Sequence, residues 1–329
     1  MKRRIALGLV LFLLLSLPAS GAEPFISYKV PTDYALPARI EVDKEGDVWI
    51  IEANTNKIAR FQPAKETYSE FEIPTYRSFP SDLTLDNDGK VWFLEQDANQ
   101  LAVFDPAAQS FKEYDIPTIE SSPFRITSDA DGKIWFTQFY GNKIGMFDPQ
   151  KEEFKEYLIP TPDSRPVGLV ADFKGRIWFI ENVGNKLGRL DTRDGSVREF
   201  PMPNLFEAAM DIAMDRLGYL WFGGNKGRSV VMFDPVAEKF ETFPLPGGSS
   251  MDSLTVGAEG RIFFSIRGIR KIGAFNPKTK EFIEVKVGLG ESKPRDIAVD
   301  RAGDIWFADI VENALFKVDG NAVSNLWLK

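Results

Sequence analysis

The sequence predicts an all-β fold, a seven-bladed β-propeller of four-stranded blades whose ring is closed by an N-terminal strand. Three observations carry that expectation. A tryptophan recurs at Trp49, Trp92, Trp135, Trp178, Trp221 and Trp306, with Phe263 in the sixth of seven places, at steps of 43, 43, 43, 43, 42 and 43 residues. A fixed period of this size marks a repeat architecture. Each copy also reads as four short strands, rich in aromatic and β-branched residues, evenly punctuated by turns and nearly free of helical periodicity. Four strands per unit of about 40 residues, repeated radially, is the pattern of a propeller.

The strands follow in order within each copy. Strand a opens at a Pro-x-x-Ile segment and ends, in the first copy, with Ile40 to Asp43. The Asp-x-x-Gly of Asp43 to Gly46 turns the chain, the glycine accepting a positive φ that other residues resist. Strand b carries Val48-Trp49-Ile50, and a polar loop ending at Asn56 leads to strand c, Ile58 to Phe61. The region of Pro63 then turns into strand d, with Phe71-x-Ile73-Pro74 at its end. Before the first copy, Phe25-x-x-Tyr28-x-Val30-Pro31-Thr32 repeats the strand-d phrase of Phe111-x-x-Tyr114-x-Ile116-Pro117-Thr118. The N-terminus is therefore expected to supply the outer strand of blade seven and cover a sheet edge. Val323-x-x-Leu326-x-Leu328 also resembles a strand d, so the C-terminus either adds a fifth strand or competes for that place.

Residues 1–22 read as a secretory signal peptide: basic Lys2-Arg3-Arg4, an apolar run from Ile5 to Leu17, Pro18, and small residues up to Ala22. The apolar run is too short to favour a membrane span. Residues 23–329 are expected to form one propeller domain, secreted or periplasmic, with no membrane insertion after signal cleavage. Loss of the three leader cations takes the formal charge from −8 to −11. An acidic body argues against a nucleic-acid partner. The chain has no cysteine and no histidine, which removes disulfides, thiol nucleophiles, imidazole bases and ordinary zinc sites.

The tryptophans sit mid-strand at one register, where blade-to-blade packing needs large apolar groups, so they are read as core. Burying each stabilises by at most about 4–6 kcal/mol. Chemistry is expected at the channel mouth, where the segments opening strand a and the loops leaving strand b converge. Three residues past each tryptophan stand Glu52, Glu95, Gln138, Glu181, Gly224, Ile266 and Asp309. Their carboxylates suit a magnesium or calcium ion, with Glu52, Glu95, Glu181 and Asp309 as candidate ligands; alternatively each bonds its own loop. Positions that depart from the repeat form a second set: Arg39, Asp82, Phe124-Arg125, Gly168, Asp211, Asp252 and Arg295-Asp296, with Phe139-Tyr140, Arg267 and Arg270 on the loops. Arg39, Asp82, Arg125, Tyr140, Asp211, Asp252, Arg267 and Arg295 are taken as ligand-binding candidates. Such a rim suits a polar or anionic small molecule, peptide or glycan, arginines acting as bidentate clamps. Its charges pairing with one another is the competing reading.

The repeat Ile177-Trp178-Phe179-Ile180-Glu181 followed by Asn185-Lys186-Leu187-Gly188 resembles the streptogramin B lyase (virginiamycin B lyase) family. The resemblance extends over all seven copies, from about Phe25 to Asp319. It implies a seven-bladed propeller and, in active members, magnesium-dependent elimination that linearises a cyclic depsipeptide antibiotic. The family's catalytic histidine lies in the Pro-x-x-Ile of the last blade, paired with a carboxylate beyond that blade's tryptophan. This chain has Pro294-Arg295-Asp296-Ile297 there, with Asp309 after Trp306. An arginine accepts no proton near neutral pH, leaving Asp309 and Asp296 as the catalytic candidates. The expectation is a divergent binding propeller without the lyase activity. A carboxylate-based, metal-dependent C–O lyase or lactone hydrolase, and a module binding another exported protein, are the alternatives.

Overall fold

The computed structural model describes residues 25–203, 209–224, 228–245, 250–266, 268–288 and 290–325. The leader expected at residues 1–22 and the candidate Arg267 lie outside them. Among the described residues, β1 (Phe25–Lys29) precedes the first repeat of β2 (Pro37–Val42), β3 (Val48–Glu52), β4 (Lys57–Gln62) and β5 (Thr67–Glu72). The next five repeats run β6 (Pro80–Leu85) to β9 (Ser110–Asp115), β10 (Pro123–Ser128) to β13 (Glu153–Leu158) and β14 (Pro166–Ala171) to β17 (Val197–Pro201). They continue with β18 (Ala209–Met214) to β21 (Lys239–Pro244) and β22 (Met251–Val256) to β25 (Glu281–Lys286). The chain then forms β26 (Pro294–Val299), β27 (Ile305–Asp309), β28 (Ala314–Val318) and helix α1 (Gly320–Asn325). Each repeat is one four-stranded antiparallel sheet, and innermost strands of successive sheets contact one another from β2 round to β26 and back. The fold is the all-β, seven-bladed propeller expected from the repeat.

Ring closure is settled by pairing. β1 runs antiparallel to β28, with Phe25 opposite Val318 and Lys29 opposite Ala314, so the seventh sheet has the order β1-β28-β27-β26. The C-terminal alternative is corrected: Val323 sits in α1, 2% exposed, against the Phe316 and Val318 side of blade seven. Leu326 and Leu328 lie outside the described residues. With β1 already bonded to β28, the edge of β28 has no unpaired row left for the C-terminal segment.

The constant residues of the repeat are explained by one hydrogen-bonded unit. The aspartate of Asp-x-x-Gly accepts two backbone N–H groups of its turn through Oδ1, as Asp43 does from Glu45 and Asp47. Its Oδ2 accepts the indole N–H of the tryptophan six residues on, at 2.7–3.1 Å in all six blades that have one. Blade six lacks both partners together: Gly257 stands for the aspartate and Phe263 for the tryptophan. A donor without its acceptor would be an orphan, so the two change as a pair. Each of the six repeat tryptophans is at most 3% exposed and packs between blades, as Trp92 does on Phe147 and Trp306 on Phe61. The glycine of Asn-Lys-Ile-Gly has its own cause. A Cβ at Gly145 would stand 2.2 Å from the Phe136 ring, which lies flat across the facing strand.

The conserved-register asparagine ties neighbouring blades. Asn56, at φ 57°, donates Nδ2–H to the carbonyls of Ile73 and Thr75, while its Oδ1 accepts from Ser78 N and Oγ. Asn99 and Asn142 repeat the arrangement. Backbone bonds from Ala53 N to Leu36 O and from Asn54 N to Ala35 O place the segment before strand a beside the loop after strand b. Both connections therefore open on one face, the channel mouth.

Candidate functional site

The residue two beyond the start of strand a is Arg39, Asp82, Arg125, Gly168, Asp211, Ser253 and Asp296 in the seven blades. Each innermost strand carries a register shift beside this position, between Pro37 and Arg39 in blade one and between Pro123 and Ile126 in blade three. A bulge re-aims the side chain it carries. The structure brings these charges into one network. Arg39 Nη1 donates to Asp296 Oδ1 at 2.9 Å, and its Nε lies 3.9 Å from Asp82 Oδ1. Arg125 Nε lies 4.0 Å from Asp82 Oδ2. Asp296 Oδ2 accepts Ile40 N at 2.8 Å, and Asp82 Oδ2 accepts Ile126 N at 3.1 Å, so both carboxylates also fasten adjacent blades. Gly168 makes room for close approach, since a Cβ there would stand 2.8 Å from the Asp211 Cα.

Ser253, unremarkable in the sequence, bridges two of these carboxylates. Its Oγ lies 2.8 Å from Asp211 Oδ2 and 2.6 Å from Asp296 Oδ1. One hydroxyl carries one proton and cannot donate to two ionised acceptors. The triad is satisfied when Asp211 is protonated, donates to Ser253, and Ser253 donates to Asp296. Burial pushes Asp211 up to about 6, with the Asp296 charge adding and Arg39 opposing. Burial likewise raises Asp82 well above the carboxylate range against the pull of Arg39. For Arg39, burial works against the charge, but Asp296, Asp82 and Asp211 outweigh it and hold it raised.

Arg39, Asp82, Arg125 and Asp296 are each less than 9% exposed, sealed below the mouth and answered largely by one another. The mouth itself is built by different groups. Tyr140 is 62% exposed and edge-on to Phe139, and Phe124 lies 5.8 Å from Phe139. Arg165, which the sequence did not single out, places its guanidinium 4.5 Å from the Tyr140 ring and 5.2 Å from Phe139. Arg125 sits over Phe124 at 4.6 Å. In the last blade, Arg295 lies 3.5 Å from Asp252. Asp309 is fully buried: Oδ1 accepts Val311 N and Glu312 N at 2.9 Å each, and Oδ2 accepts Ser292 Oγ. A carboxylate so occupied, with the Arg295 cation in the neighbouring segment, does not fit a divalent ion at that place.

Of the carboxylates after the tryptophans, Glu52 and Asp309 bond their own loops, whereas Glu95 and Glu181 are buried without a hydrogen-bond partner. Glu52, Glu95, Glu181 and Asp309 are 0% exposed, each within its own blade, and Glu52 accepts Thr55 Oγ1 from its own loop. Among the described residues no three acidic groups are grouped to hold a metal ion. Blade three shows what the other glutamates do. There Gln138 Nε2 donates to Glu156 Oε1 at 2.8 Å, and Glu70 and Glu199 face Glu52 and Glu181 in the same way. A protonated glutamic acid reproduces that amide bond; an ionised one sets two carboxylates together. Burial raises Glu52 and Glu181 to about 7, with the facing glutamate's charge adding.

The folded-state values lie above the unfolded ones, so this stability is complete below about pH 4.5 and declines as pH rises to about 7. The double variant Glu52→Gln, Glu181→Gln is expected to match the wild type near pH 5 and to exceed it near pH 8. The gain should be at most about 1–2 kcal/mol per site after solvent screening. Urea titrations at the two pH values measure it.

Comparison with known proteins agrees with this architecture. The sequence matches the profile of the Virginiamycin B lyase family over residues 19–251 and 153–324. The structure is similar to virginiamycin B lyase from Staphylococcus aureus, with 27% identity, a TM-score of 0.84, and coverage of 89% of this chain and 98% of that one. A catalytically inactive variant of the S. aureus enzyme with quinupristin gives 27% identity, a TM-score of 0.83 and the same coverage. The extracellular domain of a putative one-component system from B. thetaiotaomicron shares the fold at 13% identity and a TM-score of 0.71, over 89% of this chain and 39% of that one. No curated protein sequence matches. With the family profile matching well over half of the chain, the chain belongs to the virginiamycin B lyase family.

Proposed function

We propose that this protein is an exported binding propeller that holds a small molecule, peptide or glycan at its channel mouth without the family's elimination chemistry. One observation carries the reading. Where the family resemblance places a histidine base, this chain has Arg295, a permanent cation already facing Asp252 at 3.5 Å. The chain contains no histidine, so no imidazole stands elsewhere to replace it. The neighbouring carboxylate, Asp309, is occupied by Ser292 and two backbone N–H groups. The mouth supplies binding chemistry instead: the Phe139–Tyr140 surface for an apolar or planar group, and Arg165 and Arg295 for a polar or anionic one. The basic and apolar leader supports export, as do the extracellular settings of propellers with this fold.

Quinupristin, present with the inactive S. aureus relative, is the first probe. Elimination opens a lactone ring without changing its mass, so the readouts are chromatographic retention and ultraviolet absorbance of the new double bond. The expected result is a rise in melting temperature with unchanged quinupristin after prolonged incubation with magnesium. Replacing Tyr140 by alanine should weaken binding about tenfold. Ring opening by the wild-type protein, lost on Asp309→Asn, would overturn the reading in favour of a carboxylate-based lyase.

A further inference from the structure

Four blades place a lysine ammonium in one repeated cluster beside the end of strand b. Lys57 Nζ lies 3.1 Å from Glu70 Oε2 and 2.9 Å from Thr32 Oγ1. Lys143 holds Glu156 and Thr118 at 2.8 and 2.6 Å, and Lys186 holds Glu199 and Thr161 at 2.6 and 2.5 Å. Lys271 meets Glu284 at 2.6 Å. The ammonium charge balances the strand-d glutamate in each. Blade two keeps the carboxylates and loses the cation.

There the lysine's place is taken by Gln100, first residue of β8 (Gln100–Asp105) and directly opposite Glu95 at the end of β7 (Val91–Glu95). Gln100 turns its Nε2 outward to Asp115 Oδ1 at 2.9 Å, which leaves its Oε1 buried with no hydrogen-bond partner. Glu95 is 0% exposed, and neither of its carboxyl oxygens has a well-formed hydrogen bond: the Ser78 hydroxyl beside it donates to Asn56 Oδ1 instead, and its other neighbour is a second carboxylate. Glu113 faces it, held by Thr75 N and Thr75 Oγ1 at 3.1 Å each. Glu181 in blade four is likewise without a hydrogen-bond partner, but Lys186 supplies the charge in its cluster. Blade two thus gathers carboxylate, amide and hydroxyl oxygens, three of them buried and unanswered. Orphaned buried oxygens carry a desolvation cost unless something coordinates them.

We propose that blade two binds a hard cation of the calcium class between Glu95, Gln100, Glu113 and Thr75, where a lysine ammonium stands in four of the sister blades. All donors are oxygen, and two carboxylates match a divalent charge. The set is irregular, from a carboxylate pair, an amide and a hydroxyl. That suits calcium, which tolerates six to eight ligands at about 2.3–2.6 Å, better than strictly octahedral magnesium. The Thr75 segment is partly exposed, which opens a route from the mouth face. The site is separate from the last-blade residues, so it stands or falls independently of the ligand proposed above.

The test is a thermal-shift titration of the full, chelator-treated protein with calcium, magnesium, sodium and potassium chlorides. Calcium at a hundredfold excess over its Kd is expected to raise the melting temperature by on the order of 5 °C. Gln100→Lys should raise the cation-free melting temperature and abolish the calcium response, because the ammonium takes the site. Glu95→Gln, copying the glutamine that blade three already accommodates, should fold normally and also lose the response. Asp309→Asn should keep it. A calcium response surviving in both blade-two variants would overturn the proposal. So would a wild type whose melting temperature follows pH but no cation, since a proton shared by Glu95 and Glu113 would then satisfy the cluster.

Discussion

Replacing Trp135 by alanine is expected to cost about 3–5 kcal/mol, read as a lowered urea midpoint with an unchanged slope. The side chain is 1% exposed, stacks on Tyr157 at 5.8 Å, and packs with Leu169, Ile177 and Leu190 of the next blade. Its removal leaves a cavity that two rigid sheets cannot close. Replacing it by phenylalanine isolates the polar part. Most of the apolar contact remains, but Asp129 Oδ2 loses the indole donor at 2.7 Å. Blade six shows the consistent solution, Gly257 with Phe263. In a double-mutant cycle, Trp135→Phe should therefore cost about 1–2 kcal/mol less when Asp129→Gly is already present. Strict additivity would show that the Trp–Asp bond contributes nothing to the blade.

The second large effect is expected at the channel. Asp296→Ala should destabilise by about 3–5 kcal/mol, because it leaves the Arg39 guanidinium buried without its 2.9 Å partner. The same change removes the acceptor for Ile40 N, a bond that joins blade seven to blade one. The double variant Arg39→Met, Asp296→Asn should recover most of that loss. The charge pair goes as a unit, and the asparagine oxygen still accepts from Ile40 N. Recovery would assign the cost to the stranded charge. A double variant as unstable as the single one would assign it to channel packing instead. Urea denaturation followed by tryptophan fluorescence and by circular dichroism together reads both variants and checks two-state behaviour.

These two sites differ in how far they could be read in advance. Trp135 was legible because its role repeats: a residue at one register in six copies serves something every copy needs, and packing between blades is that need. Asp129 and its glycine were legible as a turn, but not as the indole's partner. Six residues of sequence separate donor and acceptor, and only the hairpin brings them together. Arg39, Asp82 and Asp296 were picked out because they depart from the repeat. Their outcome was not legible, because Arg39 and Asp296 lie 257 positions apart and meet only when the ring closes. Ser253 and Arg165 gave no sequence signal. A serine matters here for the single proton it brings between two carboxylates, and Arg165 for the two rings beneath it.

The amino-acid sequence alone was enough for the blade count, the strand order within a blade and the buried tryptophans, while the choice of the N-terminal over the C-terminal segment as closing strand came from the pairing of β1 with β28. The first three follow from local period and turn chemistry, which act over one repeat. The absence of histidine and the arginine at position 295 were likewise written in the chain. The tertiary structure alone decided which charged residues answer one another in the channel and which face the mouth. It also showed that the glutamates after the tryptophans stay within their blades, and that Glu95 of blade two is buried without the cation that four sister blades place in the same cluster. Those are long-range electrostatic facts. They depend on distances between side chains that the period sets in order but does not place in space.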